Sequence, residues 1–300
     1  MTHVSVRRGL LYVSIAATAW GTGGAAAALL HRAGGLGPVA ACFWRFAIGA
    51  AALLLTARLL GRGRARPFTA GPVTGRTAAT GVAMAVSQAA YFASVSASGL
   101  AVATVVTIGA APVLVTAGAR LLLGEQPGAA GLGAVAVALT GLTMLTLGDG
   151  PAAFSAAGIG WALLSAATYA GVTLLNRAST GEPYGTAMGA FAVGGICLLP
   201  VALAQGLLPA GDLLTSYAII VYLGTVPTAL AYGIFFAGLT AVRATTASVI
   251  ALVEPVGAAA IGVFLLGERL TPSAVAGAVL LLGAVVLLAL KERGRMTAGA

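Results

Sequence analysis

The sequence is short of charge. Asp, Glu, Lys and Arg together make up 8% of its 300 residues, where a soluble domain carries about a quarter, so there is too little polar surface for a water-facing exterior. Histidine is confined to His3 and His31, and cysteine to Cys42 and Cys197, both inside apolar runs. That excludes a disulfide framework and leaves no Cys/His cluster for zinc or haem. Asp149 and Asp212 are the only aspartates, and both fall between apolar runs. An intramembrane serine protease needs a histidine base, a metalloprotease needs His-Glu-x-x-His, and an aspartyl protease needs two aspartates in the membrane. None of these sets exists, so neither enzymatic activity nor a metal or cofactor is expected. The net charge of +9 does not signal nucleic acid, because no stretch interleaves bases with aromatics as a strand-binding platform requires.

What is abundant is apolar sequence, 59% of the chain. Runs of spanning length cover Leu10–Leu30, Pro38–Leu60, Thr77–Ser96, Ala101–Leu123 and Gly128–Leu147. A second set covers Ala156–Leu175, Gly185–Gln205, Leu213–Leu239, Ala244–Leu266 and Thr271–Leu290. Their length and continuity, without polar/apolar alternation, indicate helices and not barrel strands. The first run follows Arg7-Arg8 as a signal peptide would, but its length predicts a retained membrane helix. The expected fold is an all-α integral membrane protein of ten transmembrane helices, whose partner is the lipid bilayer.

With the N-terminus placed inside, 13 of the basic residues lie on the inner side, among them Arg7, Arg8, Arg58, Arg62, Arg64, Arg66, Arg76, Arg120, Arg177, Arg243 and Lys291. Arg32 and Arg269 lie outside, and Arg45 is inside a helix. The positive-inside rule then predicts a multi-pass protein of the cytoplasmic (inner) membrane with both termini cytoplasmic.

The chain also repeats itself. Pro112-Val113 precedes Gly124-Glu125, and Pro255-Val256 precedes Gly267-Glu268, with 13 residues from Pro to Glu each time. Phe46-Ala-Ile-Gly49 matches Phe191-Ala-Val-Gly194, and Tyr91 and Tyr232 open comparable stretches. Two five-helix halves, residues 10–147 and 156–290, are expected. Five is odd, so the halves enter the membrane in opposite orientation, which is the inverted repeat of many secondary transporters. Gly21, Gly24, Ala25 and Ala28 of the first helix, and Ala258 and Gly262 of the ninth, supply small faces for close packing, which leave a monomer or a homodimer open.

A charged group in the membrane is a functional candidate by default. Glu254 lies mid-helix beside Pro255, which removes a backbone donor and loosens the helix. Its carboxyl suits proton coupling or an anchor for a substrate amine, and equally a structural carboxyl. Arg45 can hold a carboxylate through its planar fork, pair with Glu254, or snorkel to an interface. Its repeat counterpart is Ala190. Gln88 and Tyr91 share a face of the third helix, Trp20 and Tyr169 match in the first and sixth, and Tyr232 is mid-eighth. Together they can wall a small-molecule cavity. Pro112 and Pro255 are expected helix kinks, Trp161 and Tyr12 interfacial anchors, and Glu125 and Glu268 caps for the helices that follow them.

In order and spacing, Trp20-Gly21, Pro38, Arg45-Phe46, Pro112 with Gly124-Glu125, Tyr169-Ala170, and Glu254-Pro255 with Gly267-Glu268 resemble the EamA-type transporters of the drug/metabolite transporter superfamily over residues 10 to 290. The resemblance implies an inner-membrane carrier with a cavity between its halves. It further implies efflux of amino acids, related metabolites or drug-like compounds, often by proton exchange. Uptake by the same fold, or a non-transporting binding or channel protein, is the alternative, although a channel needs a continuous polar pore that these helices lack.

Overall fold

In hydrocarbon the backbone must pair within its own segment, so each apolar run closes into a helix. The computed structural model describes residues 4–60, 73–146, 155–179, 181–266 and 271–297. Glu268, Gly267, Asp149 and the basic residues Arg62, Arg64, Arg66 and Arg269 fall outside them. The described helices are α1 (Val6–Gly34), α2 (Pro38–Leu60), α3 (Gly75–Leu100), α4 (Val102–Leu123) and α5 (Gly128–Thr146). They continue with α6 (Ala156–Arg177), α7 (Pro183–Gln205), α8 (Leu213–Leu239), α9 in two pieces (Ala244–Ala251 and Val253–Leu266), and α10 (Pro272–Thr297). Among the described residues, nine helices are long and apolar enough to cross a membrane. To these α1 adds 29 residues, about 44 Å at 1.5 Å per residue.

Three helices depart from the expected runs. The gap expected between Ser96 and Ala101 shrinks to one non-helical residue, Gly99, at φ 77°. That left-handed conformation costs glycine nothing, so α3 turns directly into α4. α8 contains a π-helical segment at Thr225–Leu230. α9 breaks at Leu252, three residues before Pro255, because a proline ring collides with the carbonyl four residues earlier, here that of Ala251. Pro112, by contrast, lies within helical backbone.

The helices pair across the middle of the chain. α6 lies along α3 and α4, α2 along α7, α5 along α10, and α1 along α8 and the second piece of α9. Small residues and hydroxyls carry these crossings, as expected where lipid offers helices no hydrophobic incentive to associate. Ser87 Oγ donates to Ser165 O at 3.1 Å and Ser165 Oγ to Ser87 O at 2.8 Å, while Ser94 Oγ reaches Gly158 O at 2.8 Å. Gly21 lets α1 touch α9: a Cβ there would stand 2.8 Å from the Glu254 carbonyl and 3.1 Å from Gly257 Cα. Gly24, expected on the same small face, has nothing within 4 Å of where a Cβ would be.

At the α2–α7 crossing the rings of Phe46 and Phe191 meet at 5.4 Å. Gly49 accommodates Phe191, and Gly194 accommodates Phe46. Nearby, Gly81 of α3 backs onto the Ala190 carbonyl and Gly224 of α8 approaches that of Arg45. Large apolar side chains such as Leu121, Leu214 and Phe264 project outward and suit contact with lipid tails. Trp161 is exposed near the start of α6, where an anchor belongs. Tyr12, near the start of α1, packs half-buried against the core.

Candidate functional site

The interior assembles around Tyr232 of α8. Trp20 of α1 packs on it at 4.8 Å between ring centroids and on Phe235 at 4.9 Å. Phe191 of α7 meets the Tyr232 ring edge-on at 5.6 Å. Met84, Ser87 and Gln88 of α3 and Tyr169 and Val172 of α6 line with Tyr232 a small cavity that has room for about one water molecule. The structure therefore brings Trp20, Gln88, Tyr169 and Tyr232 to one place. Tyr91 lies beside it and shares a 3.0 Å hydrogen bond with Thr104 across the Gly99 bend. Trp20 Nε1 is buried without a hydrogen-bond partner among the described residues, a donor left unused in this arrangement.

Glu254 and Arg45 flank this aromatic cluster. Arg45, Glu254 and Tyr232 act on one another electrostatically, and Glu254 also acts on Tyr91 and Tyr169. Glu254 is half-buried at the start of the second piece of α9, and its carboxyl takes no hydrogen bond from a described residue. The ion pair with Arg45 considered from the sequence is not formed: the salt bridge among the described residues joins Arg177 to Glu125 at 2.9 Å.

Arg45 is held instead by a residue that sequence reasoning missed. Its Nε donates to Thr228 Oγ1 at 3.3 Å, and its Nη1 lies 4.0 Å from Cys42 Sγ. Thr228 is fully buried and donates its own hydroxyl to Leu223 O at 2.7 Å. The sequence explains this locally. Pro227 has no N–H to give the Leu223 carbonyl four residues back, the helix widens to π geometry, and the Thr228 hydroxyl takes up that carbonyl. Such π-bulges recur at functional sites. The signal available in the sequence was Pro227-Thr228 in mid-helix, facing an arginine whose position no local pattern reveals. Cys42 also joins the site, donating to Gln88 Oε1 at 3.4 Å.

The chemistry available is thus one cation held through its Nε and Nη1, one carboxyl that takes no hydrogen bond from a described residue, and aromatic walls. No group of three or more metal-ligating side chains occurs among the described residues.

Comparison with known proteins places this arrangement. The model of the EamA-like transporter family matches residues 7–147 and again 156–290. The chain is 33% identical over 296 residues to an uncharacterized transporter, YwfM, of Bacillus subtilis (strain 168), covering 97% of this chain and 96% of that one. A protein known by crystal structure shares the fold with a TM-score of 0.81 at 18% identity, over 95% of this chain and 97% of its own. The multi-pass helical bundle with a polar pair at its aromatic centre is that of a membrane protein of the EamA-like transporter family, within the drug/metabolite transporter superfamily.

Proposed function

We propose that the protein is a secondary carrier that exports a small amphoteric solute, an amino acid or related metabolite, by alternating access coupled to proton exchange. The observation that carries the reading is the pair Arg45 and Glu254. Two opposite charges sit in one membrane-embedded site, each without a direct counter-ion, and keeping them there is expensive unless a ligand or proton completes them. A solute carboxylate fits the Arg45 guanidinium in place of its long contact with Cys42, and its amine fits Glu254. Trp20, Tyr169, Tyr232, Tyr91 and Gln88 form the walls, with the Trp20 N–H as a further donor. The water-sized cavity fits a closed arrangement that must open to load.

Several features support two inverted halves, residues 10–147 and 156–290, rocking about this site. The family model matches twice. The intervals Gly81 to Gly224, Pro112 to Pro255 and Glu125 to Glu268 are all 143 residues. Phe46 and Phe191, equivalent in the repeat, touch each other, and each lies against the glycine three residues beyond its partner, as matched positions do beside a two-fold axis. At the same interval the counterpart of Tyr91 is Ile234, which corrects its match with Tyr232, and Arg45 has no basic counterpart in the second half. Both termini then lie in the cytoplasm, following the basic residues.

Counterflow into proteoliposomes preloaded with a panel of amino acids and lipophilic cations tests the reading. Accumulation of a labelled solute above protein-free liposomes is expected. Folded protein that accumulates none of a full metabolite panel, or that passes single-channel currents in a planar bilayer, would overturn it.

A further inference from the structure

We infer that Glu125 is the latch of a gate at the arginine-rich end of the bundle, closing the path between the central site and that side of the membrane. The inference rests on the carrier reading above. From sequence, Glu125 is expected to cap α5, the helix that follows it. The structure assigns it elsewhere. Gly124 ends α4 in a left-handed turn at φ 65°, with the Gly124 and Glu125 N–H groups folded back on the Ala119 carbonyl. That turn throws the Glu125 side chain sideways, out of its own half of the chain. Its Oε1 takes a 2.9 Å charge-assisted bond from Arg177 Nε at the end of α6. Its Oε2 takes a 3.1 Å bond from the backbone N–H of Ala244, the first residue of α9. One carboxylate therefore ties α4 to both α6 and α9. It neutralises an arginine and occupies the positive end of a helix dipole at once.

Next to it, Arg243 Nη1 donates to the Gln126 carbonyl at 3.0 Å, a second tie between the same two chain segments. Behind the latch lies a dry seam of Val115, Ala119, Ala170, Leu174 and Ala244, all but sealed from solvent. Glu254 follows Ala244 by ten residues along α9, about 15 Å at the helical rise, and the break at Leu252 lies between them. The first piece of α9, Ala244–Ala251, is thus a short rigid arm, pinned at one end by Glu125 and jointed at the other beside the site. Releasing Glu125 frees that arm to swing from α4 and opens the seam.

Alkylation of a reporter cysteine reads the gate without any transported solute. Ser248 is one turn inside the latch and 2% exposed. In a Cys197→Ala, Ser248→Cys protein, a membrane-impermeant maleimide is applied from the arginine-rich side, and the labelling of the buried Cys42, read in the Cys197→Ala protein alone, is subtracted. Slow labelling is expected with the latch intact. Glu125→Ala and Arg177→Gln should each speed it about tenfold, the population change that follows loss of one charge-assisted hydrogen bond. The two variants reach the latch from different helices, so a folding defect in one leaves the other as the test. Parent-like labelling in both overturns the gate. Parent-like labelling together with intact counterflow overturns the gate alone, whereas absent counterflow with accelerated labelling overturns the carrier reading alone.

Discussion

Replacing Thr228 by valine preserves shape and β-branching and removes one hydroxyl. In the structure that hydroxyl makes two bonds, to Leu223 O at 2.7 Å and from Arg45 Nε at 3.3 Å, in a residue with no exposed surface. Valine leaves the Leu223 carbonyl without the donor that replaced the missing Pro227 N–H, and leaves Arg45 with one fewer acceptor. The first loss costs about 1–3 kcal/mol, and the second is at the weak end for a charged donor because the bond is long. A destabilisation of about 2 kcal/mol is expected, a fall in melting temperature of about 3 °C for a chain of this size. Thr228→Ser keeps the hydroxyl and should lose less than half of that. Thermal unfolding of the three proteins in one detergent decides. If Thr228→Val melts with Thr228→Ser and the parent, the π-segment is not held by this hydroxyl, and Arg45 is positioned by something else.

Three further outcomes follow from the packing and the caps. Gly21→Leu must force α1 off the α9 backbone, since all three close neighbours of its Cβ are main-chain atoms. It should cost about 1–3 kcal/mol and abolish counterflow, while Gly24→Leu, which meets nothing within 4 Å, should do neither. Ser87→Ala and Ser165→Ala should each lower stability by about 0.6 kcal/mol, and the double variant by less than the sum because the two hydroxyls share one contact, as a double-mutant cycle by thermal unfolding would show. Asp212 caps α8, and the hydroxyl and backbone N–H of Thr215 hold its carboxyl below the usual aspartate value. The stability it supplies is complete above the unfolded value and is lost as pH falls through the lowered folded one. The melting temperature of Asp212→Asn should therefore drop less than the parent's between about pH 5 and about pH 2.

The helices were legible because hydrocarbon imposes one solution on every apolar run, and length alone locates it. Glu254 and Arg45 were legible for the complementary reason, that a charge in such a run needs an explanation. What the sequence concealed depends on partners distant along the chain. Pro255 signalled a loosened helix, but the break falls at Leu252 because the ring strikes the turn before it. Pro227, unread in the sequence, meets a different answer, a π-segment stitched by Thr228. Glu125 read as a cap for α5, and the left-handed Gly124 turned it toward Arg177 and Ala244, a placement fixed only once α4, α6 and α9 converge. The close approach at Gly21 was foreshadowed by small residues. Gly24, a residue of the same kind three positions on, is exposed, because only the packing of α9 selects the face.

Arg45 and Glu254 are proposed to meet the transported solute. Once counterflow has identified that solute, the decisive measurement is its counterflow rate in the parent, Glu254→Gln, Glu254→Ala and Arg45→Met proteins from pH 6 to 8, about the range in which a membrane-embedded carboxyl exchanges its proton. Each variant should lose at least about tenfold, the worth of one charge-assisted contact, and the Glu254 variants should lose the parent's dependence on pH. Parent rates in both Glu254 variants across that range would contradict the proposal.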